Sequence, residues 1–442
     1  MNPSEVHSYL NSFVNFESLL HQLRPKDFSL NRIQKFLDLA GHPAGNLKII
    51  HVAGTKGKGS TCAFLAGILQ EAGYKVGLYT SPHLHRVNER IRILNKDNIH
   101  SKDNFSGAIN DEDLASVLTF LRPFAAAIQN EGNILTFFEV LTVAALCYFA
   151  KAQVQVVILE TGLGGRLDAT NAVDSSIAVI TPVSLDHTQI LGPTLSKIAS
   201  EKAGIIKNSH QKAVIAPQEK EAMDVILARC REFGVEPVLV RGDKYENLKI
   251  GLKGKHQRIN AATAIEAATI LKTMGFKISD EAISEGLKNV LWPGRFELLR
   301  SCPDVIVDCA HNGASAQALA QTLREEYPHR RVILVIGVSQ DKDVGAICNA
   351  LKDNVAHIFL TKARHPRAHS FKEAEGKNYF GDKPFEIIES LPQALEKALQ
   401  IAEPQDVVLV TGSIFVVAEA MDYLANKKSS VIASTAKQSL KD

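Results

Sequence analysis

Apolar positions fall in short runs separated by longer amphipathic stretches along most of the chain. Residues 48–53 (KIIHVA) form one such run; a Gly-rich turn follows, and residues 60–72 carry a helical pattern. Residues 75–79, 154–160 and 177–181 are further short runs, the last two rich in Val and Ile. Runs of this length are what a parallel sheet covered on both faces needs. Residues 136–150 read as a helix apolar on nearly every side, and residues 95–110, rich in Asn, Asp and Ser, as a loop. Trp292-Pro293-Gly294 is a breaker cluster that closes this region. Beyond it the alternation restarts, with strands expected at 305–308, 332–337, 357–361 and 407–411. The expected fold is α/β, with a mostly parallel-sheet domain over 1–293 and a smaller Rossmann-like α/β domain over 294–425. Residues 426–442 are rich in Lys, Ser and Ala without periodicity, and read as a flexible tail.

Length agrees, since 442 residues are too many for one ordinary domain. Charge excludes some partners. Fifty Lys plus Arg against 48 Asp plus Glu leave no global basic field, so neither a nucleic acid nor a membrane is expected as a partner. The most apolar helix, 137–150, is shorter than a bilayer span and carries Glu139. The first residues lack the basic and apolar regions of a signal peptide, and the six Cys form no CxxC. The expectation is a reduced, cytoplasmic protein.

Chemistry concentrates just beyond strand C-termini. Gly54-Thr55-Lys56-Gly57-Lys58-Gly59-Ser60-Thr61 joins a strand to a helix. Its glycines let backbone N–H groups approach phosphate oxygens, and Lys58 can neutralise them. The spacing departs from a Walker A motif. This loop makes the first domain a P-loop ATPase domain. Gly162-Leu163-Gly164-Gly165 follows another strand but has Leu167 where a dinucleotide fingerprint needs its third Gly. Glu139 is the one charge in its apolar helix and needs a partner, for which a metal ion is the economical choice. Asp186-His187 lies beyond a strand, as does Ser81-Pro82-His83, whose His83 and His85 read more readily as a solvated loop than as a metal pair. Lys202 by itself is an ordinary surface lysine. In the second domain Asp308 to Asn312, Ser339 to Asp343 and Thr411 to Ser413 repeat the geometry.

Taken together, GTKGKGST, SPHLHRVNERI, TFFE, LETGLGGRLDATN, DHTQILG, EKAGIIK, HQRINAATA, WPGRFE and DCAHN resemble the folylpolyglutamate synthase and dihydrofolate synthase family of the Mur ligase superfamily, in order over roughly residues 5–425. The resemblance implies an ATP-dependent amide ligase that activates a pterin-bearing carboxylate as an acyl phosphate and joins it to L-glutamate. It implies that Gly57, Lys58, Gly59, Ser60 and Thr61 bind the ATP phosphates, with Asn260, Arg295 and Asp308 as further ATP contacts. Ser81 and Glu139 match ligands of one magnesium ion, and Glu139 and His187 those of a second. Lys202 matches a carbamylated lysine beside it. Glu139, His187 and Lys202 are thus the implied catalytic set. Asp168 and Ala169 lie where the pterin is expected; Arg90, His311 and Ser413 are similar to glutamate-side positions. The implied partners are small molecules only (folate or dihydropteroate, L-glutamate, ATP), and the implied state is a monomer. RLDATN resembles the bifunctional bacterial type that also makes dihydrofolate. The alternatives are a single-function folylpolyglutamate synthase, a Mur-type cell-wall amino-acid ligase, and a nucleotide-binding module without ligase chemistry.

Overall fold

A computed structural model describes all residues except 18–28, 100, 102, 246–247 and 439–442. The chain divides into two compact units, one of Met1–Leu252 with His256–Trp292 and one of Lys253–Lys255 with Pro293–Asp442. The division falls inside the Trp-Pro-Gly breaker cluster.

Seven strands build the first unit's sheet: β1 (Ile49–Ala53), β2 (Val76–Tyr79), β3 (Ile91–Leu94), β4 (Val156–Glu160), β5 (Ile177–Ile180), β6 (Lys212–Ile215) and β7 (Pro237–Leu239). Their order is β3-β2-β4-β1-β5-β6-β7, and every pair is parallel except β2 with β3. β1, β2, β4 and β5 are buried at every position, because helices cover both faces. Strand alternation assigns the faces. Ile50, Val52, Val156, Ile158, Ile177 and Val179 pack with the helices Lys58–Glu71 and Lys255–Thr273. Ile49, Val157 and Leu159 pack on the other face with the helix Phe137–Lys151.

The second unit has six strands: β8 (Glu297–Arg300), β9 (Asp304–Asp308), β10 (Val332–Ile336), β11 (His357–Lys362), β12 (Phe385–Ser390) and β13 (Val407–Thr411). Their order is β12-β11-β10-β13-β9-β8, parallel apart from β8 against β9. Thr411 stands in register with both Asp308 and Ile336, so three strand ends meet at one edge.

Two elements differ from the hydrophobic pattern. A 20-residue helix, Asp111–Asn130, follows the polar loop and begins with an Asn110 side chain capping Asp113 N–H. The last helix runs from Ile414 to Gln438, through much of the stretch that reads as a tail; Lys and Ala favour helix even without an apolar stripe. Residues 439–442 of that tail lie outside the described residues. No helix among the described residues is long and apolar enough to cross a membrane.

Candidate active site

β1 feeds the phosphate loop, and the strand order sets its neighbours. Thr55 and Lys56 donate backbone N–H groups to Pro182 O beyond β5, at 3.1 and 3.2 Å. The Thr55 hydroxyl donates to Ser184 O at 3.0 Å. A Cβ on Gly54 would stand 1.8 Å from Thr181 Oγ1, so only glycine fits. Gly57 has φ +80° and no side-chain cap, which leaves the amides that open the helix Lys58–Glu71 available to an anion. Asn260, buried on the helix Lys255–Thr273, backs this turn; a Cβ on Gly57 would lie 2.1 Å from its Oδ1. Ser60 and Thr61 are buried in the helix's first turn.

β4 lies between β2 and β1, so its last residue stands between the two neighbouring loops. That residue is Glu160. One carboxylate oxygen is 4.0 Å from Lys58 Nζ, and the other accepts the Ser81 N–H at 3.2 Å. Glu160 is the carboxylate the sequence reading missed as a ligand candidate. Its signal was the charge that ends the otherwise apolar run VVILE.

Glu139 is corrected accordingly. It does need a partner, but the partner is Arg32, whose Nε donates to Glu139 Oε1 at 2.6 Å. Its other oxygen accepts the Thr136 N–H at 2.8 Å, completing a capping box. An ion pair and a helix cap thus account for the buried charge without a metal.

Lys202 is also corrected: it is 4% exposed rather than a surface residue. The helix Leu195–Ala203 returns it to the phosphate loop, where Nζ donates to Gly54 O at 2.8 Å. Burial first, then the Lys58 charge, pulls its amine down to about 7, against the pull of Asp186, Asp168 and Glu201. His187 is at the same edge, with φ +48°, its N–H donating to Asp186 Oδ1 at 2.9 Å.

Arg90 is wholly buried. Its two Nη groups bind Glu17 at 2.7 and 2.6 Å, its Nε donates to His83 Nδ1 at 2.8 Å, and it lies over the Phe137 ring. A glutamate substrate would have to displace Glu17 to use this fork. His83 is Arg90's acceptor, half-buried and held neutral by burial and that cation with a pKa of about 3. Asp168 is buried with four donors on its carboxylate: Gly162 N, Leu163 N, Thr170 N and the Thr170 hydroxyl. Ala169 is buried beside it.

In the second unit, Asp308 Oδ2 accepts Phe296 N–H at 2.9 Å and Oδ1 accepts Ala310 N–H at 2.8 Å. Desolvation pushes this carboxyl up, and the Arg295 charge opposes it. The Thr411 hydroxyl donates to Asp308 O, and Gly412 N–H to Ala310 O, which joins the His311 loop to the Ser413 loop. His311 Nδ1 donates to Cys309 O at 2.9 Å.

Among the described residues, no group of three or more His, Cys, Asp or Glu could by itself cage a metal. Glu160 is nevertheless the kind of ligand magnesium uses, since that ion binds through one or two carboxylates plus substrate phosphates and water.

Residues 114–240 match the Mur ligase middle domain family, and residues 294–414 the Mur ligase glutamate ligase domain family. The chain is 35% identical over 418 residues to dihydrofolate synthase/folylpolyglutamate synthase of Bacillus subtilis, covering 88% of this chain and 93% of that one. The chain belongs to the dihydrofolate synthase/folylpolyglutamate synthase family. Its Escherichia coli relative of the same name is 35% identical over 447 residues, covering 96% and 97%. Among solved structures, Mycobacterium tuberculosis folylpolyglutamate synthase complexed with ADP superposes with a TM-score of 0.83 at 30% identity, covering 96% and 98%. Escherichia coli FolC in complex with DHPP and ADP gives 0.80 at 33% identity, with the same coverage. A Yersinia pestis family member, complexed with AMPPNP and Mn ion, gives 0.76 at 32%, covering 90% and 94%. The two-unit α/β architecture is therefore the family's fold.

Proposed function

We propose that this chain is an ATP-dependent ligase that joins L-glutamate to reduced folates and to dihydropteroate. One observation carries the reading: Lys58, Glu160 and Ser81 meet at three adjacent strand ends while buried Lys202 touches the same phosphate loop. In the reaction the pterin-side carboxylate attacks the γ-phosphorus of ATP, ADP leaves and an acyl phosphate remains. The glutamate amine then attacks the acyl carbon, phosphate leaves with the C–O electrons, and the nitrogen loses a proton.

Lys58 and the uncapped amides after Gly57 hold the phosphates and offset their charge. Ser81 and Glu160 would hold one magnesium ion; Glu160, His187 and a carbamate on Lys202 would hold a second. When bound, these ions draw negative charge from the transferring phosphoryl group. Lys202 suits carbamylation, because an amine titrating near 7 is about half neutral at pH 7, and the neutral fraction can add to carbon dioxide with loss of a proton. Within the first unit, Asn260 would add a nucleotide contact, and Asp168 and Ala169 belong to the loop on the pterin side; within the second unit, Arg295 and Asp308 are the nucleotide-side candidates and His311 and Ser413 the glutamate-side ones. Six free cysteines fit the reducing cytoplasm.

The test is an assay of the purified protein with ATP, magnesium, glutamate and either tetrahydrofolate or dihydropteroate. ADP release that requires glutamate and either pterin is expected. Turnover with tetrahydrofolate alone makes the enzyme single-function, and turnover with neither overturns the reading.

A further inference from the structure

His51 is an odd occupant of a central strand. It stands mid-way along β1, on the sheet face of Ile49 and Ala53, and is 1% exposed. Its Nε2 lies 2.7 Å from Thr170 Oγ1, and Thr170 Oγ1 donates to Asp168 Oδ1 at 2.5 Å. An ionised carboxylate only accepts, so the one hydroxyl proton of Thr170 points to Asp168 and its oxygen accepts from His51. His51 is therefore the Nε2–H tautomer. Its Nδ1 is then a bare acceptor, buried with no hydrogen-bond partner among the described residues. That is a desolvation penalty which an aliphatic residue would avoid. Burial also holds the imidazole neutral, with its pKa down at about 3, so the donor persists across any working pH.

The far end of this chain reaches the site. Asp168 Oδ2 accepts the N–H groups of Gly162 and Leu163 at 2.9 and 2.8 Å, two and three residues beyond Glu160. The same loop then packs on the backbone of Lys202. Arg166 N–H donates to Glu201 O at 2.7 Å, and a Cβ on Gly165 would lie 2.7 Å from Glu201 O and 2.9 Å from Lys202 O. Asn171 Nδ2 ties Arg166 O to Gly204 O at 3.0 and 3.1 Å. The loop that leaves Glu160 is thus held by Asp168 at Gly162 and Leu163 and packs at its far end on the Lys202 backbone.

We propose that His51 and Thr170 are positioning residues: through Asp168 they lock the loop Gly162–Arg166 to the strand that carries the phosphate loop, and so fix the spacing of Glu160 and Lys202 around the metal. This rests on the metal-side reading of Glu160 and Lys202 given above.

The test measures Mn2+ bound to the protein–AMPPNP complex by electron paramagnetic resonance, together with melting temperature. Thr170→Val cuts the chain with little change of shape, and Thr170→Ser keeps the hydroxyl. His51→Leu removes the donor, and His51→Gln offers an amide in its place. Removing a group that orients a metal ligand through a hydrogen bond typically weakens metal binding 10- to 100-fold. The expectation is Mn2+ binding about 10-fold weaker in Thr170→Val and His51→Leu, with recovery in Thr170→Ser and His51→Gln. Should Thr170→Val fail to fold, the two His51 variants give the same contrast. Lower melting temperatures with Mn2+ affinity unchanged would make the chain merely structural and overturn the proposal. Glu160→Gln separates the two failures. If it leaves Mn2+ affinity unchanged, the metal-side reading of Glu160 falls. If it weakens binding while Thr170→Val and His51→Leu do not, the positioning chain alone falls.

Discussion

At the scale of single residues, Lys202 shows how burial changes what a side chain can do. An exposed lysine keeps roughly one amine in 3000 neutral at pH 7. Lys202, pulled down to about 7, is close to half neutral there. Two outcomes follow. Lys202→Ala should lose ligase activity, and acetate or formate should restore part of it by supplying the missing oxygen donor; exhaustive removal of carbon dioxide should slow the unmodified enzyme. No rescue together with indifference to carbon dioxide would leave Lys202 a simple amine. The stability effect has a definite sign. The folded value lies below the unfolded one, so between about 7 and 10.5 the unfolded chain binds the extra proton, and stability rises with pH through that window. In carbon-dioxide-free buffer, the stability gain from pH 7 to 9 should exceed that of Lys202→Met by on the order of 2 kcal/mol. Parallel pH profiles in denaturant titrations would show that Lys202 is not desolvated in solution.

At the scale of elements, the helix Phe137–Lys151 shows a motif whose chemistry is local rather than catalytic. Thr136 and Glu139 cap its N-terminus reciprocally, and Arg32 neutralises the Glu139 carboxylate. Removing one partner of a buried pair leaves the other charge uncompensated. Glu139→Gln should therefore destabilise the protein by about 1–3 kcal/mol in urea while metal affinity stays near that of the unchanged protein. A loss of metal affinity at constant stability would return Glu139 to the metal site. Other elements were legible for equally local reasons. The fully buried strands β1, β4 and β5 are plain apolar runs, and they lie where the pattern predicts them. β3, β6, β7, β8 and β12 do not stand out in the pattern: β3, β7, β8 and β12 are edge strands with polar or half-exposed positions, and β6, next to an edge, opens on the exposed Lys212. The glycines of Gly162–Gly165 were visible but not their purpose. They admit Phe138 and the Glu201–Lys202 backbone at contact distance, which is a packing role.

At the scale of the molecule, each unit carries its own sheet and its own apolar core, the second built on Ile306, Leu334, Ile336, Ile358, Leu360 and Leu409. A unit with a complete core can fold alone. Residues 293–442 expressed separately should melt cooperatively by circular dichroism, and a non-cooperative loss of signal would show that the second unit depends on the first.

The sequence by itself determined the α/β class, the break at Trp292-Pro293, the glycine turn between β1 and its helix, and the family, because each is written in contiguous residues: apolar runs, breakers and glycine spacing. Tertiary structure alone decided which acid joins Lys58 and Ser81. Glu139 and Glu160 are both lone carboxylates in apolar surroundings, and their spacing in the chain ranks neither. Strand order placed β4 between β2 and β1, which sets Glu160 between their loops, while a helix cap and Arg32 claimed Glu139. The same holds for Lys202 and for His51. Desolvation and hydrogen-bond partners come from residues more than a hundred positions away, and those are fixed only when the sheet assembles.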